Sequence, residues 1–239
     1  FVRIPYTTND GRAIRPKVRL TSVDGSLTGR KYSTLAYAQR ENTIFAINAG
    51  LFNTTTLVPL GQTIIDGVSV VNEKHPQGAN NETISETECY PLCIDINGIL
   101  SAPYPNTIDT AVMIADGIVQ ACCGWVKLVE DYAICEDEIA TEIVHTGPYV
   151  KQAIGQFENG DYCVCTVDRK GYGSVAPNDN GMTYTQVAQL FVDRGAKFAY
   201  ALDGGGSCQT VLGKRQLNPI YESELGRNIP AIIVFEVSE

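Results

Sequence analysis

Histidine, tryptophan and methionine are scarce in this chain of 239 residues, which carries two His, one Trp and two Met. His75 and His145 stand far apart and no Cys-x-x-Cys pair occurs, so the ligand spacing of a zinc site is missing. G-x-x-x-x-G-K-[ST] and G-x-G-x-x-G are also missing, which excludes the common nucleotide-binding loops. There is no Lys/Arg run and the net charge is −9, which argues against nucleic acid, whose backbone demands a cationic stripe. One phosphate in a locally basic pocket is still compatible with that balance. No apolar run approaches the roughly 20 residues that span a bilayer. The amino end, FVRIPYTTNDGR, has neither a signal-peptide pattern nor an initiator Met, so it reads as a processed product or a domain of something longer. Any targeting segment then lies outside it, and the compartment is open: secreted, cell-envelope and virion-associated settings all fit. Repeats, linkers and low-complexity tracts are lacking too, which leaves a single domain over residues 1–239.

Cysteine, by contrast, is plentiful at eight residues. Cys122 and Cys123 are adjacent, Cys163 and Cys165 alternate on a strand-like run, and Cys89, Cys93, Cys135 and Cys208 are scattered. We read them as mostly reduced, strand-packed thiols, because Cys is among the most buried residue types even without bridging. Disulfides between pairs that the spacing does not identify stay open.

Short β-type runs dominate the rest. Lys17 to Val23 alternates, Thr43 to Ile47 is compact, and Gln62 to Val70 reads as a hairpin turning at Asp66-Gly67. Residues 72–90 are polar, acidic and Asn-rich, the composition of a long surface loop that serves as a lid or specificity element. Leu92–Gly98, Thr110–Ile114, Gly117–Gln120, Ile139–Val144 and Tyr162–Val167 follow as further strand-like segments. Thr34 to Arg40 has the spacing of a short helix. The principal helix is predicted over Thr183 to Arg194, where Val187, Leu190 and Phe191 share a face, Thr183 caps the start and Gly195 stops the end. Pro230 to Val237 closes the chain as a nearly continuous apolar strand stitched into the sheet. The expected class is α+β: strand-rich, with a mixed central sheet and one principal packed helix.

Chemistry concentrates in Tyr200 to Leu212, YALDGGGSCQTVL. Asp203 ends an apolar strand, and Gly204, Gly205 and Gly206 carry no side chains, so something is expected to approach the backbone closely there. A carboxylate beside exposed N–H groups suits a phosphate or a sugar hydroxyl. Asn48 stands at a second strand end before Gly50, where it can orient a sugar hydroxyl or acetamido group, or simply cap the turn. Asp66 is either a further acid or the turn residue of its hairpin. Phe52 can stack on a sugar or fill the core, and His145 is a site acid or a surface residue. Cys208 with His145 as its base is a thiol alternative that no local charge supports. No cofactor is implied and no metal ligands are assigned; Asp66, Asp168 and Asp203 meet at a cation only if the fold brings them together.

Five blocks follow one another in the order of a known family: AINAGLFN at 46–53, GQTIIDG at 61–67, KQAIG at 151–155, the segment from Thr183 to Val211 with LDGGGS, and GRNIPAIIV at 226–234. In these the chain resembles the phosphodiester glycosidase family, the domain type of N-acetylglucosamine-1-phosphodiester α-N-acetylglucosaminidase. The resemblance implies a hydrolase that cleaves a sugar-1-phosphate diester in a glycan or surface polysaccharide. It casts Asp203 as base or nucleophile, and Lys151, Ser207, Arg227 and the glycine amides as holders of the phosphate. Family members usually carry Arg where this chain has Lys151, and their Asp-Gly-Arg-type turn is here Asp168-Arg169-Lys170. Lys keeps the charge but loses the bidentate fork. A binding module that keeps the fold without the chemistry, within a larger envelope or phage-tail protein, is the alternative.

Overall fold

Alternation of apolar side chains builds the core of this protein, whose computed structural model describes residues 1–74, 90–141, 147–168, 181–218 and 225–238. In the strand Tyr162–Val167, Tyr162 and Val164 point into one apolar cluster while Cys163 and Cys165 point into another. Both faces are therefore covered, which explains a run with no polar alternation. Phe45 and Ile47 likewise face one cluster and Ala46 a second, and in Ala231–Val237 the split is Ile233 and Phe235 against Ile232 and Val234.

Three main sheets result. The first orders Val2–Ile4, Tyr162–Val167, Lys151–Phe157, Ala196–Ala201, Lys127–Glu130 and Ala133–Ile134. The second contains Val68–Asn72, Gln62–Ile65, Ile118–Cys123, Pro91–Asp95 and Leu100–Ser101. The third places Ala231–Val237 between Phe45–Asn48 and Ile14–Leu20, with Thr210–Leu212 beyond Phe45–Asn48. The largest apolar cluster draws on all three, from Ile154 and Tyr200 through Leu92 and Ile94 to Ile47 and Ile233.

The strand-rich α+β class holds, and the carboxyl-terminal strand is stitched into the interior of its sheet as expected. Two details differ. The expected mixed sheet is replaced by pairs that run antiparallel at every described ladder. Thr110–Ala115 and Glu136–Thr141 are helices rather than strands. Asp109 supplies the reason for the first: its carboxylate accepts from the Ala111 amide and caps a helix that the β-branched composition alone does not announce.

The two longer helices match expectation. Tyr184–Val192 begins with a capping box between Thr183 and Gln186 and buries Val187, Ala188 and Phe191 against the first sheet. Thr34–Glu41 is capped by Ser33 and packs Leu35 and Ala38 on Val211. Asp66 and Gly67 adopt φ of 48° and 75°, the paired left-handed geometry of a two-residue hairpin turn. The loop expected at 72–90 lies, for residues 75–89, outside the described residues. Among the described residues no helix is long and apolar enough to cross a membrane. The seven described cysteines are all buried and unbridged, and Cys89 lies outside the described residues.

Candidate active site

Two strand ends and one loop meet around Asp203. The strand Ala196–Ala201 delivers Leu202 and Asp203 beyond its last ladder pair, and the Leu202 amide still donates to the Gln152 carbonyl at 2.8 Å. The Asp203 amide donates to the Ala49 carbonyl at 3.2 Å, and Asn48 Nδ2 donates to the Asp203 carbonyl at 2.8 Å. The chain after Phe45–Asn48 and the chain after Ala196–Ala201 are thus pinned to each other.

Asp203 is half-buried. Its Oδ1 accepts from the Gly204 amide at 2.8 Å, and the Ser207 hydroxyl donates to the same carboxyl. Arg227 Nη1 in turn donates to Ser207 Oγ at 3.3 Å, so a guanidinium, a hydroxyl and a carboxyl form a chain. Burial pushes the Asp203 carboxyl up to about 6, against the opposing pull of Ser207, the Gly204 amide and the Arg227 charge. Such a group is ionised at neutral pH yet holds a proton readily, a setting suited to general base work.

Lys151 opens the strand Lys151–Phe157 and is 3% exposed. Its Nζ lies 3.7 Å from the centroid of the Tyr184 ring, which stabilises a cation that burial would otherwise disfavour. Cys208, fully buried in the same place, has its thiol pushed well up by burial and then by the charges of Asp203 and Asp168, with Lys151 opposing. Asp168 therefore belongs to this neighbourhood, and a thiolate nucleophile at Cys208 is disfavoured.

The glycine loop is a single 3-10 turn, Gly205–Ser207. Its amides are largely engaged internally: Gly204 with Asp203, Gly205 with the Val150 carbonyl, Ser207 with Gly204 and Cys208 with Gly205. Gly206 has the one loop amide without a partner among the described residues. A Cβ on Gly204 would stand 2.7 Å from the Val150 carbonyl, and Gly205, at φ 59°, lies under the Tyr149 ring. These two glycines answer to the chain's own backbone and aromatic neighbours, where the sequence suggested a bare cradle of several donors.

The remaining candidates are placed as follows. Asn48 is buried with its amide fully engaged, since Oδ1 accepts from the Gln209 amide at 3.1 Å and Nδ2 serves the Asp203 and Ala49 carbonyls. It positions the loop. Gly50 lies where a Cβ would overlap the Cys123 carbonyl, so its lack of a side chain brings the segment after Cys123 beside the Asn48 strand end. Phe52 is a core residue packed with Ala46, Ile232 and Val234. Asp66 is exposed, its carboxylate held by Arg19 at 3.0 Å and Gln120 Nε2 at 2.7 Å, in a hairpin that the described contacts do not join to Asp203. His145 lies outside the described residues. The sequence reading missed Tyr149, Tyr184 and Gln209; only their adjacency to the KQAIG block, the helix start and the LDGGGS block marked them.

Among the described residues no group of His, Cys, Asp or Glu is arranged to hold a metal ion. One cavity lined by described residues, of about 450 Å³, lies away from Asp203, between Arg19, Val23, Tyr37, Arg40, Ile65 and Val68.

Residues 41–236 match the profile of a family described as phosphodiester glycosidase. A prophage-derived uncharacterized protein of Bacillus subtilis (strain 168), YomE, is 27% identical over 196 residues, covering 82% of this chain. The chain spans only 28% of that relative's length. Among solved structures, the catalytic domain of zebrafish N-acetylglucosamine-1-phosphodiester alpha-N-acetylglucosaminidase, auto-inhibited by its pro-peptide, superposes with a TM-score of 0.71 at 21% identity, covering 100% of this chain and 82% of that one. A hypothetical protein from Synechocystis follows with a TM-score of 0.63 at 14% identity over 94% of this chain and 57% of its own.

Proposed function

This chain belongs to the phosphodiester glycosidase family, and from that premise we propose that it hydrolyses glycosyl phosphodiesters, breaking the bond between an anomeric carbon and a phosphate oxygen with Asp203 as the acting carboxylate. The observation that carries the reading is the half-buried carboxyl at about 6, joined through Ser207 to the Arg227 guanidinium, with the buried Lys151 on the neighbouring strand acting on the adjoining Cys208. Either of two roles fits that arrangement. As a base, the Asp203 carboxylate takes a proton from water while the water oxygen bonds to the anomeric carbon. As a nucleophile, it bonds to that carbon itself, and water then releases the sugar. In both, the carbon–oxygen bond to phosphate breaks and its electron pair leaves with the phosphate monoester.

A phosphate monoester is a weakly basic leaving group, so strong general acid help is not required. What the reaction requires is charge stabilisation, and Lys151 and Arg227 supply it in a poorly hydrated setting where it acts strongly. Ser207 and Asn48 hold the Asp203 segment in place. Glycosyl phosphodiesters of this kind occur in surface polysaccharides, teichoic-type polymers and modified glycans. A synthetic α-glycosyl phosphodiester incubated with the protein and with Asp203→Ala tests the reading: turnover by the first and its loss in the second is expected, and unchanged turnover by Asp203→Ala removes the assignment.

A second reading is favoured by one specific finding, the prophage-derived relative of which this chain spans 28%. A glycan-binding module of a larger assembly would keep Lys151 and Arg227 for affinity and need no turnover. Calorimetric binding of the same diester with no product over long incubation would select it.

A further inference from the structure

Arg227 lies on the segment 225–230, which has no regular structure apart from the bridge between Ile229 and Tyr32. Something must fix its guanidinium beside Ser207. Downstream, the chain is tied by Ile229, whose amide donates to the Tyr32 carbonyl at 3.2 Å, and by Thr21, whose hydroxyl donates to the Ile229 carbonyl at 2.5 Å. At Arg227 itself the tie comes from Gln209. Gln209 Nε2 donates to the Arg227 carbonyl at 2.8 Å, and Gln209 Oε1 accepts from the Thr34 amide at 2.9 Å. The residue is 1% exposed.

The side-chain amide is held at both ends, so it has no rotational freedom to release Arg227. Its backbone is equally fixed, exchanging two hydrogen bonds of 3.1 Å with Asn48, the residue that pins the Asp203 carbonyl. Gly226 adds a close approach: at φ 83°, a Cβ there would stand 2.9 Å from Gln209 Oε1. Gln209 therefore joins three parts of the chain, the Asn48 strand end, the amino terminus of the helix Thr34–Glu41 and the Arg227 segment.

We infer that Gln209 is a positioning residue: its clamped side-chain amide sets the Arg227 backbone so that the guanidinium reaches Ser207 beside Asp203. The inference rests on the reading of Asp203 and Arg227 as parts of one site, and extends it to a residue that touches neither substrate nor reacting atoms. Arg227 then acts on the carboxyl through a geometry that Gln209 maintains. The charged group that acts on the Asp203 carboxyl is Arg227 from this segment; Cys208 adjoins it along the loop, and Asp168 and Lys151, with Tyr184 behind the ammonium, act on that thiol in turn. Of these Arg227 is the one whose pull on the carboxyl depends on Gln209.

The test is a carbon-13 NMR titration of the Asp203 carboxyl in the whole chain, with the resonance assigned by its loss in Asp203→Asn. The wild-type midpoint is expected at about 6. Arg227→Met removes an opposite charge and raises it, by about half a pH unit or more. Gln209→Met keeps the length and burial of the side chain but not its hydrogen bonds, and is expected to raise the midpoint by a similar amount. The double variant moves it no further than Arg227→Met alone, because both act through one guanidinium. A fall in melting temperature with the midpoint unmoved in Gln209→Met overturns the inference and leaves Gln209 a structural tie. If Gln209→Met does not fold, Gln209→Asn, one methylene shorter, gives the same readout. An unmoved midpoint in Arg227→Met overturns it regardless of Gln209. No substrate is present, so a protein without glycosidase activity would defeat the proposed function and leave this test standing.

Discussion

Lys151 and Asp203 stand at the same end of two neighbouring antiparallel strands, Lys151 opening one and Asp203 lying two residues beyond the other. The ladder pairs Ala153 with Ala201, and continuing that register by two residues sets Lys151 opposite Asp203 on the same face of the sheet. The Leu202 amide bonded to the Gln152 carbonyl shows that the register does continue past the strand end. Backbone geometry thereby brings a buried cation, its ammonium over the Tyr184 ring, and a half-buried carboxyl to the same end of the sheet.

Lys151→Met leaves the strand and the Tyr184 contact intact and removes only the charge. For a glycosyl phosphodiester, kcat/KM is expected to fall about 100-fold, which corresponds to roughly 3 kcal/mol of lost transition-state stabilisation. Lys151→Arg keeps the charge and adds a planar fork, and is expected to retain activity to within about tenfold. Steady-state kinetics on the two variants decides the point, and equal losses in both would mean that packing at this position matters more than charge.

Asp203→Asn separates activity from stability. The folded carboxyl titrates at about 6 against an ordinary value of 3.8, so the folded state binds the proton more tightly than the unfolded state does. The stabilising contribution is full below about pH 4 and is lost as pH rises through 6. Above that the ionised group costs about 1–3 kcal/mol. Asn stays neutral, so the variant is expected to melt several degrees higher than wild type at pH 7.5 and nearly with it at pH 4, while losing turnover. Thermal scans at the two pH values check this; a variant that melts lower at pH 7.5 would show that the carboxylate is a net stabiliser.

The sequence made most strands and the cap of the main helix legible because both depend on short-range pattern, while Thr110–Ala115 and Glu136–Thr141, which read as strands, are helices. Tyr162 to Val167 alternates between two cores, and Thr183 with Gln186 marks a helix start within four residues. Asp203 was legible for the same reason, as a carboxylate ending an apolar strand. Gln209 was not, because its meaning lies in Thr34 and Arg227, which are distant in the chain. The roles of Gly204 and Gly205 were misjudged on similar grounds. A triple glycine announces close approach, but only the fold reveals that the approaching groups are the Val150 carbonyl and the Tyr149 ring.

Gly50→Ala probes a contact that no pattern in the sequence exposes. A Cβ at Gly50 would overlap the Cys123 carbonyl, which also accepts from the Leu51 amide at 2.7 Å, so neither backbone can yield without breaking that bond. The cost is expected to be about 3 kcal/mol or more, at the upper end of overpacking effects. Gly11→Ala is the control: its φ of 84° is strained for Ala, but the space around it is open. Its cost is expected to be about 1–2 kcal/mol. Denaturant midpoints of the two variants give the comparison, and equal losses would mean that the segment after Cys123 can shift.

Phe52→Leu decides whether an aromatic in the AINAGLFN block serves the substrate or the core. The ring is 8% exposed and packs with Ala46, Ile232 and Val234, on the face of the third sheet turned away from the large shared core. Tyr37 and Leu57 cover it further. A ring enclosed in this way offers no open face to a sugar. Leu fills most of the space, so stability is expected to fall by about 1–2 kcal/mol, with a corresponding drop of a few degrees in melting temperature. KM for a glycosyl phosphodiester is expected to stay within about twofold, because the ring packs into the cluster of Ala46, Ile232 and Val234 and no described contact joins it to the Asp203 side chain. The opposite pattern, a raised KM with an unchanged melting temperature, would return Phe52 to the substrate site. It would also require the chain between Asn48 and Phe52 to open in a way that the bond from the Leu60 amide to the Leu51 carbonyl at 3.0 Å opposes.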